Sequence, residues 1–270
     1  MKKISLSAPA KINWNLHIGE IQKNGLHEIY TEMEKISLAD ELEIEILPQE
    51  KQGEIDFVLK NPQEFSVPKD ETNLAVRAAR SFFGETLFPA ICIRLTKNIP
   101  TGSGLGGGSS DAAAVLKGLS QMFPECISES ELFHIASNLG SDIPFFFGNF
   151  SRATIEGTGE RLTPLPQISS GFLTLCLPKN ISISTAWAYE EWEKRKTTVP
   201  NGNDFEPIIF SAFPELSHRA TLLKEFGAEH TALSGSGGTV FGVFSEKAKA
   251  EKTQKMLKEH GDWTAVCRLK

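Results

Sequence analysis

Residues 98–118 hold the stretch most able to do chemistry. Pro100-Thr101-Gly102-Ser103-Gly104-Leu105-Gly106-Gly107-Gly108-Ser109-Ser110 places five glycines, Gly102, Gly104, Gly106, Gly107 and Gly108, within seven positions. Ordering so many glycines is entropically costly, so the backbone there must either adopt φ > 0 repeatedly or come very close to a ligand. A bound polyphosphate meets both conditions. Ser109, Ser110 and Asp111 are good helix-starting residues, and Ala112 to Leu119 has strong helix propensity, so the loop is expected to feed a helix N-terminus. The free N–H groups and dipole at that end favour an anion, while the two hydroxyls can reach phosphate oxygens or the water shell of Mg2+. A long glycine turn without a ligand is the structural alternative.

Three kinds of phosphate loop are told apart by their companions. A Walker loop needs Gly-Lys followed by Ser or Thr, and no lysine interrupts these glycines. Gly102-x-Gly104-x-x-Gly107 satisfies the dinucleotide pattern, but no repeating strand-helix-strand rhythm precedes it. The His-Arg-Asp and Asp-Phe-Gly companions of protein kinases are absent. The run Pro-x-Gly-x-Gly-Leu-Gly-Gly-Gly-Ser-Ser resembles the phosphate loop of the GHMP kinases, which act on galactose, homoserine, mevalonate and phosphomevalonate.

Four further segments extend that resemblance. Ser7-Ala8-Pro9-Ala10-Lys11-Ile12-Asn13 and the turn Gly25-Leu26-His27 are similar to elements of one GHMP branch, the kinases of 4-diphosphocytidyl-2-C-methyl-D-erythritol, and Gly140-Ser141-Asp142-Ile143-Pro144 is similar to the segment carrying that family's catalytic aspartate. Ala232-Leu233-Ser234-Gly235-Ser236-Gly237-Gly238-Thr239 resembles the third GHMP motif, a second glycine cluster expected between strands. Taken alone, Lys11 is a solvated lysine, His27 a turn histidine and Asp142 a turn aspartate at the margin of Ile143 and three aromatics. By resemblance, Asp142 is the catalytic base and Lys11 its charge partner. Asn13, His27, Tyr189 and Asp142 bind substrate, with His27 reading the cytosine edge and Tyr189 stacking on it. Leu26 stands where the family has an aromatic. Asn73 and residues 100–110 bind ATP, with Mg2+ as its metal. Asn73 also suits a helix cap, and Asn203-Asp204-Phe205-Glu206-Pro207 matches a family element whose plain reading is a capping motif.

The elements that must position these residues are legible in part. Strands are expected over Ile4–Ser7 and Ile12–Ile18, broken at Pro9, and over Glu32–Ile46, whose glutamates read as a solvated acidic face. A hairpin and loop are expected over 48–70, and a strand over Ile91–Leu95. Helices are expected from Thr72, from Ser109, over Glu129–Leu139 and Thr185–Lys194, and over 246–260, with a last strand over Trp263–Leu269. Pro164 and Pro166 read as a linker, which divides the chain into 1–160 and 161–270. The fold implied by the resemblance is a mixed α/β pair: an N-terminal domain like ribosomal protein S5 domain 2 and a C-terminal ferredoxin-like domain.

With 270 residues, 40% of them hydrophobic, the chain can bury a large core. A net charge of -6 argues against nucleic acid or an anionic membrane as partner. Cys92, Cys126, Cys176 and Cys267 are scattered without C-x-x-C spacing, as expected of free thiols in a cytoplasmic protein. Two alternatives stay open at this point: another GHMP kinase of homoserine or mevalonate type, and a nucleotide-binding sensor without catalysis.

Overall fold

The computed structural model describes residues 2–48, 52–85, 87–167 and 171–270. These form two compact units, each built from non-contiguous segments. The first comprises the chain to Ala10, Ala39–Thr101 and Gly106–Asn149; the second comprises Lys11–Leu38, Gly102–Leu105 and the chain from Phe150. β1 (Lys3–Ile21) and β2 (His27–Ile46) are long strands with residues in both. β1 is continuous across Pro9, against the expected break. Among the described residues its strand partner is β2, and a proline is tolerated on a strand with an open edge.

In the first unit, β3 (Ile55–Lys60) leads through α1 (Leu74–Phe83) to β4 (Ile91–Thr96). β3 pairs parallel to β4 from Ile55↔Ile91 to Lys60↔Thr96, so the expected hairpin is a crossover, with α1 as its bridge. β4 in turn pairs antiparallel with the end of β2, Glu41↔Thr96 to Ile46↔Ile91. The acidic face of β2 is not left to solvent alone: Arg94 binds Glu43 at 3.1 Å and Glu45 at 2.6 Å. α2 (Gly107–Met122) buries Ala112 to Leu116 all round, as a helix inside a core must. It lies close to the sheet at Gly118, where a Cβ would stand 2.8 Å from the Leu6 side chain and 2.9 Å from that of Ile44. α3 (Glu129–Leu139) carries a full capping box between Ser128 and Glu131, and α4 (Ile143–Phe147) follows after Gly140.

A buried charge cluster sits beneath the first turn of α2. Lys97 Nζ donates to Asp40 Oδ2 at 2.5 Å and to Asp111 Oδ2 at 2.7 Å, and all three side chains are at most 4% exposed. Asp40 also accepts from the N–H groups of Asn98 and Ile99, whereas Asp111 Oδ1 and the Ser110 hydroxyl are buried with no hydrogen-bond partner. One ammonium thus serves two carboxylates. Burial would lower the Lys97 pKa, but the facing carboxylates of Asp111 and Asp40 raise it, while burial pushes the Asp111 carboxyl up to about 7. From the ordinary carboxylate value up to about 7 the native state therefore keeps a proton on Asp111 that the unfolded chain has released, so stability falls as pH rises through that interval. Urea midpoints between about pH 4.5 and about pH 7.5 should fall less steeply in Asp111→Asn than in the wild type; parallel slopes would show that Asp111 does not titrate in this way.

In the second unit, β5 (Arg152–Gly157) pairs antiparallel with β2 from Ile29↔Gly157 to Glu34↔Arg152, and β6 (Arg161–Leu165) pairs with β5. Pro164 lies inside β6 opposite Ala153, so it belongs to an edge strand and not to a linker. There follow β7 (Phe172–Leu177), α5 (Thr185–Arg195), α6 (Glu206–Ala212), α7 (Pro214–Glu225), β8 (His230–Leu233), β9 (Val240–Phe244), α8 (Lys247–Lys258) and β10 (Trp263–Arg268). β7 to β10 form an antiparallel sheet in the order β10-β7-β9-β8, the ferredoxin-like arrangement expected. Its core is built from Cys176, Leu233, Val240 and Phe244 of the strands, with Trp192, Ile208, Leu223 and Leu257 of the helices.

Candidate active site

Lys11 opens the second unit's part of β1 and is only 3% exposed, which rules out the solvated reading. Its ammonium donates to Asn13 Oδ1 at 2.5 Å, Asn13 Nδ2 donates to Thr31 Oγ1 at 2.8 Å, and the Thr31 hydroxyl donates to the Asn15 carbonyl at 2.5 Å. Lys11 and Asn13 are two apart on a strand and so share a face, while Thr31 comes from the paired β2. The Lys11 N–H donates to the Leu105 carbonyl at 3.0 Å, so the same strand holds the glycine loop.

The second unit's part of that loop is clasped by the turn between β8 and β9. Ser234 Oγ donates to the Gly104 carbonyl at 3.0 Å, and the Thr239 N–H to the Ser103 carbonyl at 3.1 Å. Gly104 has φ 82°, and a Cβ there would stand 2.0 Å from the Ser234 carbonyl oxygen; one on Gly237 would stand 2.1 Å from Gly104 N. These two glycines let two backbones touch. Leu105 is fully buried and acts as an anchor. The third motif does lie between strands, as expected, but its grip on the first glycine loop was not foreseen.

In the first unit, α2 starts at Gly107, with Gly106 as its cap in the left-handed region at φ 71°. Ser109 and Ser110, expected to start the helix, lie within its first turn, because the Gly106 conformation lets the turn close earlier. A Cβ on Gly107 would stand 2.9 Å from Ile99 and 3.0 Å from Lys97 Nζ, so packing accounts for that glycine. Gly108 differs. It is exposed and helical, and its nearest neighbour to an added Cβ is Leu74 at 3.6 Å, an ordinary contact. Neither conformation nor packing demands a glycine there, and what it leaves bare is a helix N-terminus suited to phosphate.

Asn73 caps α1, accepting from the Ala75 N–H at 2.9 Å and donating to the Pro68 carbonyl at 2.7 Å. Asp142 occupies the cap position of α4 without capping it, half-buried beside the buried Ile143, Pro144, Phe145 and Phe146. Among the described residues no group of three His, Cys, Asp or Glu could hold a metal ion.

The Gly25–His27 turn and α5 meet through aromatic rings. His27 stacks on Tyr189 with centroids 5.1 Å apart and planes at 13°, and meets Trp192 edge-on at 5.5 Å. His27 Nδ1 lies 3.0 Å from the Gly19 carbonyl, which requires an N–H on that nitrogen and leaves Nε2 of the neutral ring as an acceptor. Only one of its two ring nitrogens is therefore open to a ligand. Glu193 Oε1 lies 3.5 Å from Nε2. Tyr189 covers one face of His27 and has Phe205 against it edge-on at 5.0 Å, and Leu26 is 50% exposed.

Comparison with known proteins agrees with this geometry. Two family models match: GHMP kinases N terminal domain over residues 73–149 and GHMP kinases C terminal over 192–262. The 4-diphosphocytidyl-2-C-methyl-D-erythritol kinase of Desulfotalea psychrophila is 35% identical over 95% of this chain and 90% of its own length; that of Geobacter sp. is 34% identical over 98% of both. A crystal structure of 4-(cytidine 5'-diphospho)-2C-methyl-D-erythritol kinase superposes with a TM-score of 0.76 at 29% identity, covering 98% of this chain and 99% of that one. A mevalonate kinase structure, at TM-score 0.70 and 16% identity over 98% and 99%, shares the fold. The chain belongs to the GHMP kinases, and within them to the 4-diphosphocytidyl-2-C-methyl-D-erythritol kinase family. It is a small-molecule kinase.

Proposed function

We propose that this chain transfers the γ-phosphoryl group of ATP to the 2-hydroxyl of 4-diphosphocytidyl-2-C-methyl-D-erythritol, giving the 2-phosphate and ADP, a step in non-mevalonate isoprenoid precursor synthesis. The observation that carries this reading is the burial of Lys11, pinned by Asn13 beside the clasped glycine loop. A sensor has no need of an ordered, buried ammonium there. Mg2+ on the phosphates would neutralise charge developing on the transferred group. The chain's own groups do the rest. A tertiary alcohol is barely acidic, so Asp142 takes its proton as the new bond forms, help worth about 10² to 10⁴ in rate. Lys11 neutralises charge around the accepting oxygen, while the N–H groups of residues 106–109, ahead of the first intrahelical bond from Ser110 to Gly106, hold the triphosphate. Asn73 lies at the adenine, and Asn13 orients substrate as well as Lys11.

Contact between the Gly25–His27 turn and Tyr189 favours the cytidyl branch over homoserine or mevalonate kinases, which lack that pair of features. His27 Nε2, with Glu193 beside it, offers acceptors to the amino group of cytosine, whereas uracil presents an acceptor at the same position. The reaction belongs in the cytoplasm, and among the described residues no helix is long and apolar enough to cross a membrane. Kinetics with cytidyl and uridyl versions of the substrate test this reading: His27→Ala should shrink the cytidyl preference about tenfold or more, since a polar site rejects an analogue that leaves its groups unpaired. Tyr189→Ala should raise KM for both by similar factors, stacking being worth about 1–3 kcal/mol. Unchanged KM values in Tyr189→Ala would show that cytosine is held elsewhere, with Trp187 the next candidate.

A further inference from the structure

We propose that Asn203 is a positioning residue for phosphoryl transfer, acting through Gly235 to set where the second glycine turn stands against Lys11. The inference rests on the kinase reading of Lys11. Taken as a capping residue, Asn203 would need one acceptor. It supplies that, with Oδ1 accepting from the Phe205 N–H at 3.0 Å, but its amide nitrogen does something a cap does not. Nδ2 donates to the Leu233 carbonyl at 3.0 Å and to the Gly235 carbonyl at 2.7 Å, which uses both of its hydrogens. The side chain is 1% exposed, so no water can substitute for these bonds.

Gly235 is the residue in the turn whose placement matters most to Lys11. It has φ 59°, and a Cβ on it would stand 3.3 Å from Lys11 Nζ and from Asn13 Oδ1. The flanking Ser234 and Gly237 are pressed on the first glycine loop, through the Ser234 hydroxyl and the Gly104 backbone. The turn is thus wedged between residues 103–105 and the Lys11–Asn13 pair, and Asn203 grips it at a third point. Neighbours of Asn203 tie the same piece to β1: the Gly202 carbonyl accepts from the Leu16 N–H at 2.9 Å, the Asp204 N–H donates to the Leu16 carbonyl at 2.8 Å, and Asp204 Oδ2 accepts from the Ile18 N–H at 3.0 Å. Glu206 Oε1 accepts from the Leu233 N–H at 2.8 Å. Residues 202–206 therefore lace the strand that carries Lys11 to the turn that abuts it. Loss of the Asn203 amide would free Gly235 to shift by a fraction of an ångström to an ångström, and a misplacement of that order far from the chemistry can cost about 10²-fold in rate.

Asn203→Asp keeps the Phe205 bond and removes both donors. In this variant kcat should fall about 10- to 100-fold with KM for ATP and substrate within about threefold, since the contacts to ligand are not the ones lost. In the same variant, amide exchange at Ser234–Thr239 should accelerate at least about tenfold while β9 stays protected. Should Asn203→Asp fail to fold, Asn203→Ser, which keeps an acceptor and at most one donor, carries both measurements. A folded variant with wild-type kcat overturns the proposal, and so does unchanged exchange in the turn. A wild-type chain without turnover on the cytidyl substrate would sink the kinase reading instead, and the exchange experiment then decides by itself whether Asn203 holds the turn.

Discussion

Asp142→Asn and Lys11→Ala are each expected to lower kcat by about 10² to 10⁴, the range that general base help spans, while nucleotide affinity stays within a few-fold. In Asp142→Asn the amide is nearly isosteric with the carboxylate but cannot accept the substrate proton, so the loss should appear in kcat and not in KM. Lys11 is a sterner case. Its ammonium is buried and bonded to Asn13, so Lys11→Ala also leaves the Asn13 carbonyl without its donor and loosens the Asn13–Thr31 chain. Lys11→Met, close in length and uncharged, separates the two effects: equal loss in Met and Ala variants indicates charge, and a much milder loss in Met indicates packing. Single-turnover rates with saturating ATP measure both. Either Asp142→Asn or Lys11→Ala turning over near the wild-type rate would remove that residue from the machinery.

The second large effect is expected at Gly108. Valine there meets only Leu74 at ordinary contact distance and sits at a helical backbone that any residue can adopt, so the fold should survive with its melting temperature nearly unchanged. Its side chain, however, would cover the N–H groups at the start of α2, and affinity for ATP should drop at least about 100-fold by calorimetry. Valine at Gly104 or Gly107 makes a poorer test, because those positions are closed by Ser234, Ile99 and Lys97 and the fold itself would suffer. Wild-type affinity in a folded Gly108→Val chain would mean that the triphosphate lies elsewhere.

Local chemistry made much of this protein legible. The glycine run, the capped start of α1 at Asn73, the helix over Glu129–Leu139 and the strand patterns of β2 and β4 are all signals carried by a few adjacent residues, and each appears where those residues predict it. The resemblance of the segments around Lys11, Asp142 and the two glycine clusters to those of the GHMP kinases placed the chain in that family, as the family models over 73–149 and 192–262 bear out. What misled was punctuation. Pro9 and Pro164 read as breaks, yet both lie within strands, because a proline interrupts a ladder only where its missing N–H was needed.

Other features were decided by contacts between residues distant in sequence. That Lys97 shares its charge between Asp40 and Asp111, that Gly104 and Gly237 are glycines for each other's sake, and that Asn203 holds Gly235 are facts of separations no periodicity encodes. His27 shows the same division. Its type and its place beside a glycine turn offered two polar ring atoms, but which nitrogen is left open depends on the Gly19 carbonyl across the hairpin. Residue type determined what each group could do; the tertiary structure decided which of its hydrogen-bonding atoms were already spent, because a buried polar atom is satisfied by whatever the fold brings within reach.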